Sequence, residues 1–191
     1  MACSGYIRLL SLLLVVSALS AAGQQDTSKR QIPAGGLLPK PPSLFRDSLP
    51  LPLGYVNDYA HMFTDPQVSF LDSLLAGYER RTPIQVALVT FDSTMTTADS
   101  LDLLTRRIAD YWGVGQSRAG YGVTIGISRD LRRMRIENGY GIAALLTDEE
   151  TKQIIDDDFI PGYRKGDYFG GTCAGLQALM NRLAQRYRPG R

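Results

Sequence analysis

The sequence predicts an α/β fold in which a small mixed sheet is sandwiched between helices. Two apolar runs, residues 84–91 and 122–128, are typical of buried strands, and a helical pattern separates them. A strand–helix–strand unit of this kind is almost always a right-handed crossover, so these two strands should be parallel. A third strand, residues 132–138, follows a tight turn and should pair antiparallel with the second strand.

Helical spacing of apolar residues predicts four helices around this sheet, at about residues 65–82, 98–112, 147–159 and 168–187. Asp65 should be the N-cap of the first helix. Thr147 and Glu150 form the pattern of a capping box at the start of the third, and Pro161-Gly162 should end it. Helices on both sides of a small sheet make a truncated Rossmann-like sandwich.

The composition divides the chain into four segments. Residues 1–23 have a basic start, a short apolar run and small residues at the end, which is typical of a secretory signal peptide. Residues 24–52 hold six of the ten prolines and should form a semi-rigid linker. Residues 53–187 form the folded domain, and residues 188–191 a disordered tail. We therefore expect an extracytoplasmic protein, periplasmic or secreted.

The charged and metal-binding residues narrow the range of functions. A net charge of +2 over 191 residues gives no electrostatic reason to expect a nucleic-acid partner. With one histidine and two cysteines, a zinc site of the usual kind and a protease triad are improbable. No segment after the signal peptide is apolar enough to span a membrane. Any metal site should be oxygen-rich, which favours calcium or magnesium.

Three acidic residues stand beside glycine or asparagine at the ends of predicted elements: Asp58, Glu137 and Asp167. Glu137 comes just before Gly139 and Gly141 at a strand end, where ligands bind in open α/β sheets. If these carboxylates converge in one cleft, they would hold a divalent cation that binds phosphate oxygens and polarises water. Solvated carboxylates in turns are the competing interpretation.

Four arginines cluster around the predicted turn between the second and third strands: Arg129, Arg132, Arg133 and Arg135. We interpret them first as a solvated turn and strand face, with an anion-binding patch as the alternative. No glycine-rich phosphate loop opens a predicted helix, so the pattern does not indicate a dinucleotide site.

Five short motifs resemble the TPM domain in order and spacing: Val56-Asn57-Asp58-Tyr59-Ala60, Trp112-Gly113-Val114-Gly115, Ile136-Glu137-Asn138-Gly139-Tyr140-Gly141, Leu146-Thr147-Asp148 and Gly166-Asp167-Tyr168. The resemblance runs from about residue 53 to residue 185. The family includes a thylakoid lumen protein tied to photosystem II repair, a nematode receptor modulator and many bacterial envelope proteins. It implies a small α/β sandwich, an acidic pocket for a divalent cation, typically calcium, and phosphatase activity in some members.

Carried onto this sequence, the resemblance implies that Asp58, Glu137 and Asp167 line the cation pocket. In the phosphatase hypothesis, Asp58 and Glu137 are also catalytic, and Arg118 binds the phosphate of the substrate.

The sequence departs from the family pattern at two places. Gly120-Tyr121 stands where the family usually has Asp-Asn, and Ala143 stands where it usually has glutamate. Fewer carboxylates should weaken the binding of a cation. Besides a purely structural secreted domain, two functions therefore remain. One is a divalent-cation-dependent phosphatase of the cell envelope. The other is a non-enzymatic module that binds an envelope or membrane protein partner and helps to assemble or maintain membrane protein complexes.

Overall fold

The computed structural model describes residues 49–187. The predicted signal peptide, most of the predicted linker and the predicted tail lie outside the described residues. The sheet has four strands in the order β1-β2-β3-β4. β1 pairs parallel with β2, β2 pairs parallel with β3, and β3 pairs antiparallel with β4, as predicted for the last two pairs. The strands are β1 Val56–Asp58, β2 Gln85–Thr90, β3 Gly122–Ser128 and β4 Arg133–Asn138.

Helices pack on both faces of this sheet. They are α1 Asp65–Arg81, α2 Leu101–Trp112, α3 Tyr140–Ala143, α4 Asp148–Ile154, α5 Ile160–Arg164 and α6 Tyr168–Arg186. A 3-10 turn covers Gln116–Arg118, and a π-helical turn, Ile155–Phe159, joins α4 to α5. Within residues 49–187, none of the helices is both long and apolar enough to cross a bilayer.

The alternation of side chains along the strands divides the core into two layers. One face of the sheet, which includes Leu88 and Ile125, packs against α1 and α6; we call it the α1/α6 face. The other, the α2 face, packs Val89 against Leu104 and Ile108 of α2. β2 is therefore covered on both sides, which confirms the prediction of a central strand from its doubly apolar pattern.

The start of the domain differs from the sequence-based expectation in two places. β1 is a strand that the sequence pattern did not reveal, because three residues are too few to show an alternation. The N-cap of α1 is Thr64 and not Asp65. Thr64 forms a reciprocal capping box with Gln67, which satisfies two backbone N–H groups at the helix start.

The prediction that Pro161-Gly162 ends a helix was also wrong, since the chain stays helical through α5. Pro161 directly follows the π-helical turn, in the first turn of α5. Gly162 lies so close to α6 that a Cβ atom there would sit 2.5 Å from the Cα of Gly171. The proline and the glycine thus permit a helix junction instead of a loop.

The last residues of the predicted linker are bound to the domain. The indole Nε1–H of Trp112 donates to the carbonyl of Pro50 at 2.7 Å, and the hydroxyl of Tyr59 donates to that of Leu51 at 3.0 Å. The side chain of Leu49 packs on the apolar layer beneath α2. The chain therefore meets the folded domain a few residues before residue 53.

Candidate functional site

Asp58 ends β1 on the α1/α6 face, and its carboxylate is occupied by the protein itself. It accepts hydrogen bonds from the N–H of Met62 at 2.9 Å, the N–H of Phe63 at 2.8 Å and the hydroxyl of Thr90 at 2.6 Å. These bonds tie the loop after β1 to the end of β2. The side chain thus holds the loop in place, a role that the sequence did not indicate.

Glu137 lies far from Asp58. Asp58 is opposite Thr90, which is opposite Ile127, whereas Glu137 is opposite Thr124. The two acidic residues are therefore three strands and three residue rows apart, roughly 17 Å between Cα atoms for ordinary sheet spacings. They also project from opposite faces, because side chains alternate along a strand. They cannot share one cation in this arrangement.

The other predicted site residues are also paired elsewhere. Asp167 caps α6, with its Oδ1 accepting the N–H of Gly170 at 2.8 Å. Arg118 forms an ion pair with Glu79 at 3.0 Å. Across residues 49–187 no three side chains of His, Cys, Asp or Glu are grouped so that they could hold a metal ion. The convergence on which the cation site depended is not found, and the residues present do not fit that site.

A cleft of about 590 Å³ opens instead at the edge of the sheet where β3 ends and β4 begins. Its lining is Ile127, Ser128, Arg129, Arg132, Arg133, Met134, Ile160, Tyr163, Arg164, Gly166 and Tyr168. We call it the arginine cleft. Four of these eleven residues are arginines and none is acidic, so the lining carries a concentrated positive charge. The carboxyl end of a parallel strand is where open α/β sheets bind their ligands.

The arginines of the cleft are weakly neutralised. Arg129 lies 3.5 Å from Asp130, and Arg133 lies 3.6 Å from Asp102, with all four side chains partly exposed. Arg132 and Arg164 form no ion pair within residues 49–187. Each guanidinium has five N–H donors in a planar fork, so most of the donors of the cleft are available to an anion.

Arg132 holds a backbone conformation that is unusual for its residue type. Its φ is 50°, in the left-handed region that costs an L-residue about 1–2 kcal/mol and that glycine or asparagine normally occupies. The N–H of Arg132 donates to the carbonyl of Arg129 at 3.1 Å, which closes the turn between β3 and β4. An arginine at this position breaks a local rule beside a cleft, which is where such departures are expected.

Two tyrosines form the opposite wall of the cleft. The rings of Tyr163 and Tyr168 lie 5.2 Å apart between centroids, and the hydroxyl of Tyr163 is 2.9 Å from the hydroxyl of Thr172. Burial raises the pKa of Tyr163 well above its usual value. The phenol is therefore protonated and held in place, so it is suited to shaping the cleft and not to acting as a base.

Part of this cleft was visible in the sequence. Arg129, Arg132 and Arg133 belong to the cluster for which an anion-binding patch was the alternative interpretation, whereas Arg135 pairs with Glu137 on β4. Arg164 was missed because the helix that carries it was not predicted. No sequence signal links a residue in α5 to a turn more than thirty positions earlier.

The fold and the cleft define the class of this protein as a small α/β sandwich domain with a ligand-sized cleft at the strand ends. Residues 56–182 match the model of the TPM domain, which is about two thirds of the chain. The chain belongs to the TPM domain family, as the sequence motifs predicted.

Solved structures share this fold. The N-terminal domain of a protein from P. gingivalis is 29% identical, with a TM-score of 0.62 over 70% of this chain and 87% of that chain. The BA42 protein of Bizionia argentinensis is 13% identical, with a TM-score of 0.57 over 65% and 83% of the two chains. The N-terminal domain of the cg2496 protein from Corynebacterium glutamicum is 12% identical, with a TM-score of 0.53 over 75% and 89%. No curated protein matches the chain significantly.

Proposed function

We propose that this TPM domain is a binding module that recognises an anionic group of a partner in the arginine cleft. The observation that carries the proposal is a cleft lined by four arginines and by no carboxylate. This is the non-enzymatic function of the two that the sequence left open. The partner would be an envelope or membrane protein, which agrees with the extracytoplasmic location that we also propose.

The chemistry of arginine supports recognition of phosphate or carboxylate. The guanidinium is planar and forms two parallel hydrogen bonds to either group, and it stays charged at every physiological pH. Arg132 and Arg164 approach the cleft from different elements, the β3–β4 turn and α5, so a bound anion would bridge them. Because the side chains are partly exposed, binding should weaken strongly as the salt concentration rises.

Calorimetric titration of the full chain with pyrophosphate at low salt tests this proposal. We expect saturable binding that the double substitution Arg132→Gln, Arg164→Gln weakens about tenfold or more, since each charge-assisted bond contributes about 1.5–3 kcal/mol. The matched control is Arg106→Gln, Arg107→Gln, which removes the same charge from the exposed surface of α2. Equal loss in both double variants would show only a general charge effect and would contradict the proposal.

The cation-dependent phosphatase is the second candidate, because arginines that bind a phosphate could also bind a phosphoester substrate. We derive no step through a metal, since Asp58, Glu137 and Asp167 do not form a shared set of donors. Hydrolysis of an aryl phosphate and of ATP, with calcium, magnesium or chelator, distinguishes the two functions. Metal-dependent turnover that the Arg132→Gln, Arg164→Gln variant lacks would favour the phosphatase over the binding module.

The location is a separate proposal with its own test. It is supported by the signal-peptide pattern of residues 1–23, which lie outside the described residues. N-terminal sequencing of the chain recovered from outside the cytoplasm should give a start near Gln24. Recovery of the intact chain from the cytoplasm alone would contradict it.

A further inference from the structure

We propose that the free edge of β4 accepts an extended acidic segment of a partner polypeptide as a fifth strand. One acidic side chain of that segment would reach into the arginine cleft. The inference rests on the proposed function of the cleft and adds the kind of partner that carries the anionic group. It combines three features of β4: its position at the edge, its unpaired backbone groups and its charge.

The hydrogen-bond pattern shows which backbone groups of β4 are free. The N–H of Gly139 donates to the carbonyl of Gly122 at 2.8 Å, so the pair Gly122 and Gly139 is hydrogen-bonded. Hydrogen-bonded and non-hydrogen-bonded pairs alternate along an antiparallel ladder. The N–H and C=O groups of Met134 and Ile136 therefore point away from β3. Within residues 49–187, no other element bonds to them.

The charge of this edge selects the occupant. Arg133 starts β4 and Arg132 closes the turn before it, and both line the arginine cleft, whereas Arg135 is paired with Glu137. Basic side chains on an edge repel a second copy of the same edge, which natural sheets use against self-association. The same charges attract a strand with acidic side chains. An acidic segment thus gains main-chain hydrogen bonds and charge pairing together, as in other cases of strand addition.

The geometry also explains how the strand and the cleft would act together. β4 begins at Arg133, and Arg133 and Met134 both line the cleft. A segment paired along β4 therefore passes the mouth of the cleft. Backbone pairing would supply affinity that depends little on sequence, and the cleft would select an acidic residue at one position.

Backbone amide exchange of the full chain, followed by NMR, tests the inference directly. The probe is a synthetic peptide of alternating valine and glutamate, compared with pyrophosphate alone and with the same peptide carrying a central proline. We expect the amides of Met134 and Ile136 to exchange about tenfold or more slowly with the peptide only. Pyrophosphate binding without protection by the peptide would leave the function of the cleft intact and overturn strand addition. Failure of both ligands to bind would overturn both proposals.

A substitution at Met134 gives a second, independent test. Its N–H points away from β3, so Met134→Pro should keep the β3–β4 ladder, as proline is tolerated on strand edges. We expect Met134→Pro to lose peptide binding about tenfold or more, whereas Met134→Leu, which alters the same position of the cleft lining but keeps the N–H, should retain it. Unchanged peptide binding in a folded Met134→Pro variant would contradict strand addition. If that variant does not fold, the amide exchange of the unaltered chain decides.

Discussion

At the scale of single residues, Arg132 and Asp58 have opposite effects on the stability of the domain. Arg132 holds an unfavourable backbone angle beside the cleft, and its side chain is unpaired among the described residues. Asp58 accepts three hydrogen bonds and stabilises the fold. The sequence analysis instead predicted that Asp58 binds a cation. A loop carboxylate beside an asparagine forms the same sequence pattern whether it binds a ligand or the backbone.

Comparison of two substitutions at Arg132 isolates the backbone strain from the side chain. Arg132→Gly and Arg132→Ala both remove the guanidinium, but only glycine removes the penalty of a positive φ. We expect the glycine variant to be more stable than the alanine variant by about 1 kcal/mol in urea unfolding. Both should weaken pyrophosphate binding to the same extent. A glycine variant less stable than the alanine variant would contradict the assignment of strain at this turn.

Removal of the Asp58 carboxylate should destabilise the domain. Asp58→Ala leaves two backbone N–H groups and the Thr90 hydroxyl without their acceptor, which we expect to lower the free energy of unfolding by about 2 kcal/mol. Glu137→Ala is the control, because its ion pair with Arg135 is partly exposed and should contribute less than about 1 kcal/mol. Urea denaturation measures both. Equal, small losses would mean that Asp58 is not structural.

The structural role of Asp58 affects the interpretation of any activity assay of an Asp58 variant. Asp58→Asn replaces a carboxylate, which only accepts hydrogen bonds, with an amide that has one acceptor oxygen and one donor NH2 group. Lost turnover in that variant could therefore come from a loosened loop. Substitutions in the arginine cleft avoid this ambiguity, since Arg132 and Arg164 form no ion pair with the rest of the described domain.

At the scale of elements, Glu150 joins α4 to α6. Its carboxylate accepts hydrogen bonds from Arg186, at 2.5 and 2.6 Å, and from the backbone N–H of Thr147. These bonds lower the pKa of Glu150 from 4.5 to about 2. The bond from Arg186 is the largest cause, and the bond from Thr147 is the second. One half-buried side chain thus caps one helix and holds another.

The lowered pKa sets a pH dependence with a definite sign. A carboxyl group that binds protons less readily when folded contributes stability above its unfolded pKa and loses it as the pH falls through the folded value. The contribution of Glu150 should therefore be complete above about pH 4.5 and decline towards pH 2. We expect Glu150→Gln to be less stable than the unaltered chain at pH 7, with the difference shrinking by pH 2. Glu149→Gln, which removes a neighbouring carboxyl group from the exposed side of α4, is the control in thermal unfolding.

The packing of α6 against the π-helical turn depends on a small residue in α6. A Cβ atom at Gly175 would lie 2.1 Å from the ring of Phe159, which is fully buried. We expect Gly175→Ala to destabilise the domain by about 1–3 kcal/mol, although alanine favours a helix over glycine by about 1 kcal/mol. Gly77→Ala in α1 is the control. Its Cβ would meet the flexible side-chain ends of Arg81 at 3.3 Å and Arg80 at 3.6 Å, so this substitution should be neutral or stabilising in urea denaturation. A stable Gly175→Ala variant would contradict the packing described here.

At the scale of the whole molecule, the elements with a repeating apolar pattern were predicted from the sequence. Features that depend on how the strands pair were missed. β2 and β3 have runs of six and seven residues that show their burial, and both were found. β1 has three residues and shows no period. The family was recognisable because five motifs keep their spacing, and the match over residues 56–182 confirms it.

The directions of the strands explain why the predicted carboxylates do not cluster. Asp58 and Glu137 each end a strand, but β1 runs parallel to β3 and β4 runs antiparallel to it. Their ends therefore lie at opposite edges of the sheet. The antiparallel return that separates the carboxylates also brings the start of β4 to the carboxyl edge, where Arg133 lines the same cleft as Arg164 of α5. Both the separation of the carboxylates and the position of the arginines follow from the β3–β4 hairpin.

The central claim is that the binding site of this TPM domain is the arginine cleft and not the loop carboxylates. The most direct measurement is the map of backbone amide shifts in the NMR spectrum as pyrophosphate is added to the full chain. We predict that the saturable shifts concentrate in the β3–β4 turn, residues 128–134, and in residues 163–168 of the facing helices. Shifts centred on the loop after Asp58 or around Arg118, with none in the β3–β4 turn, would contradict the claim.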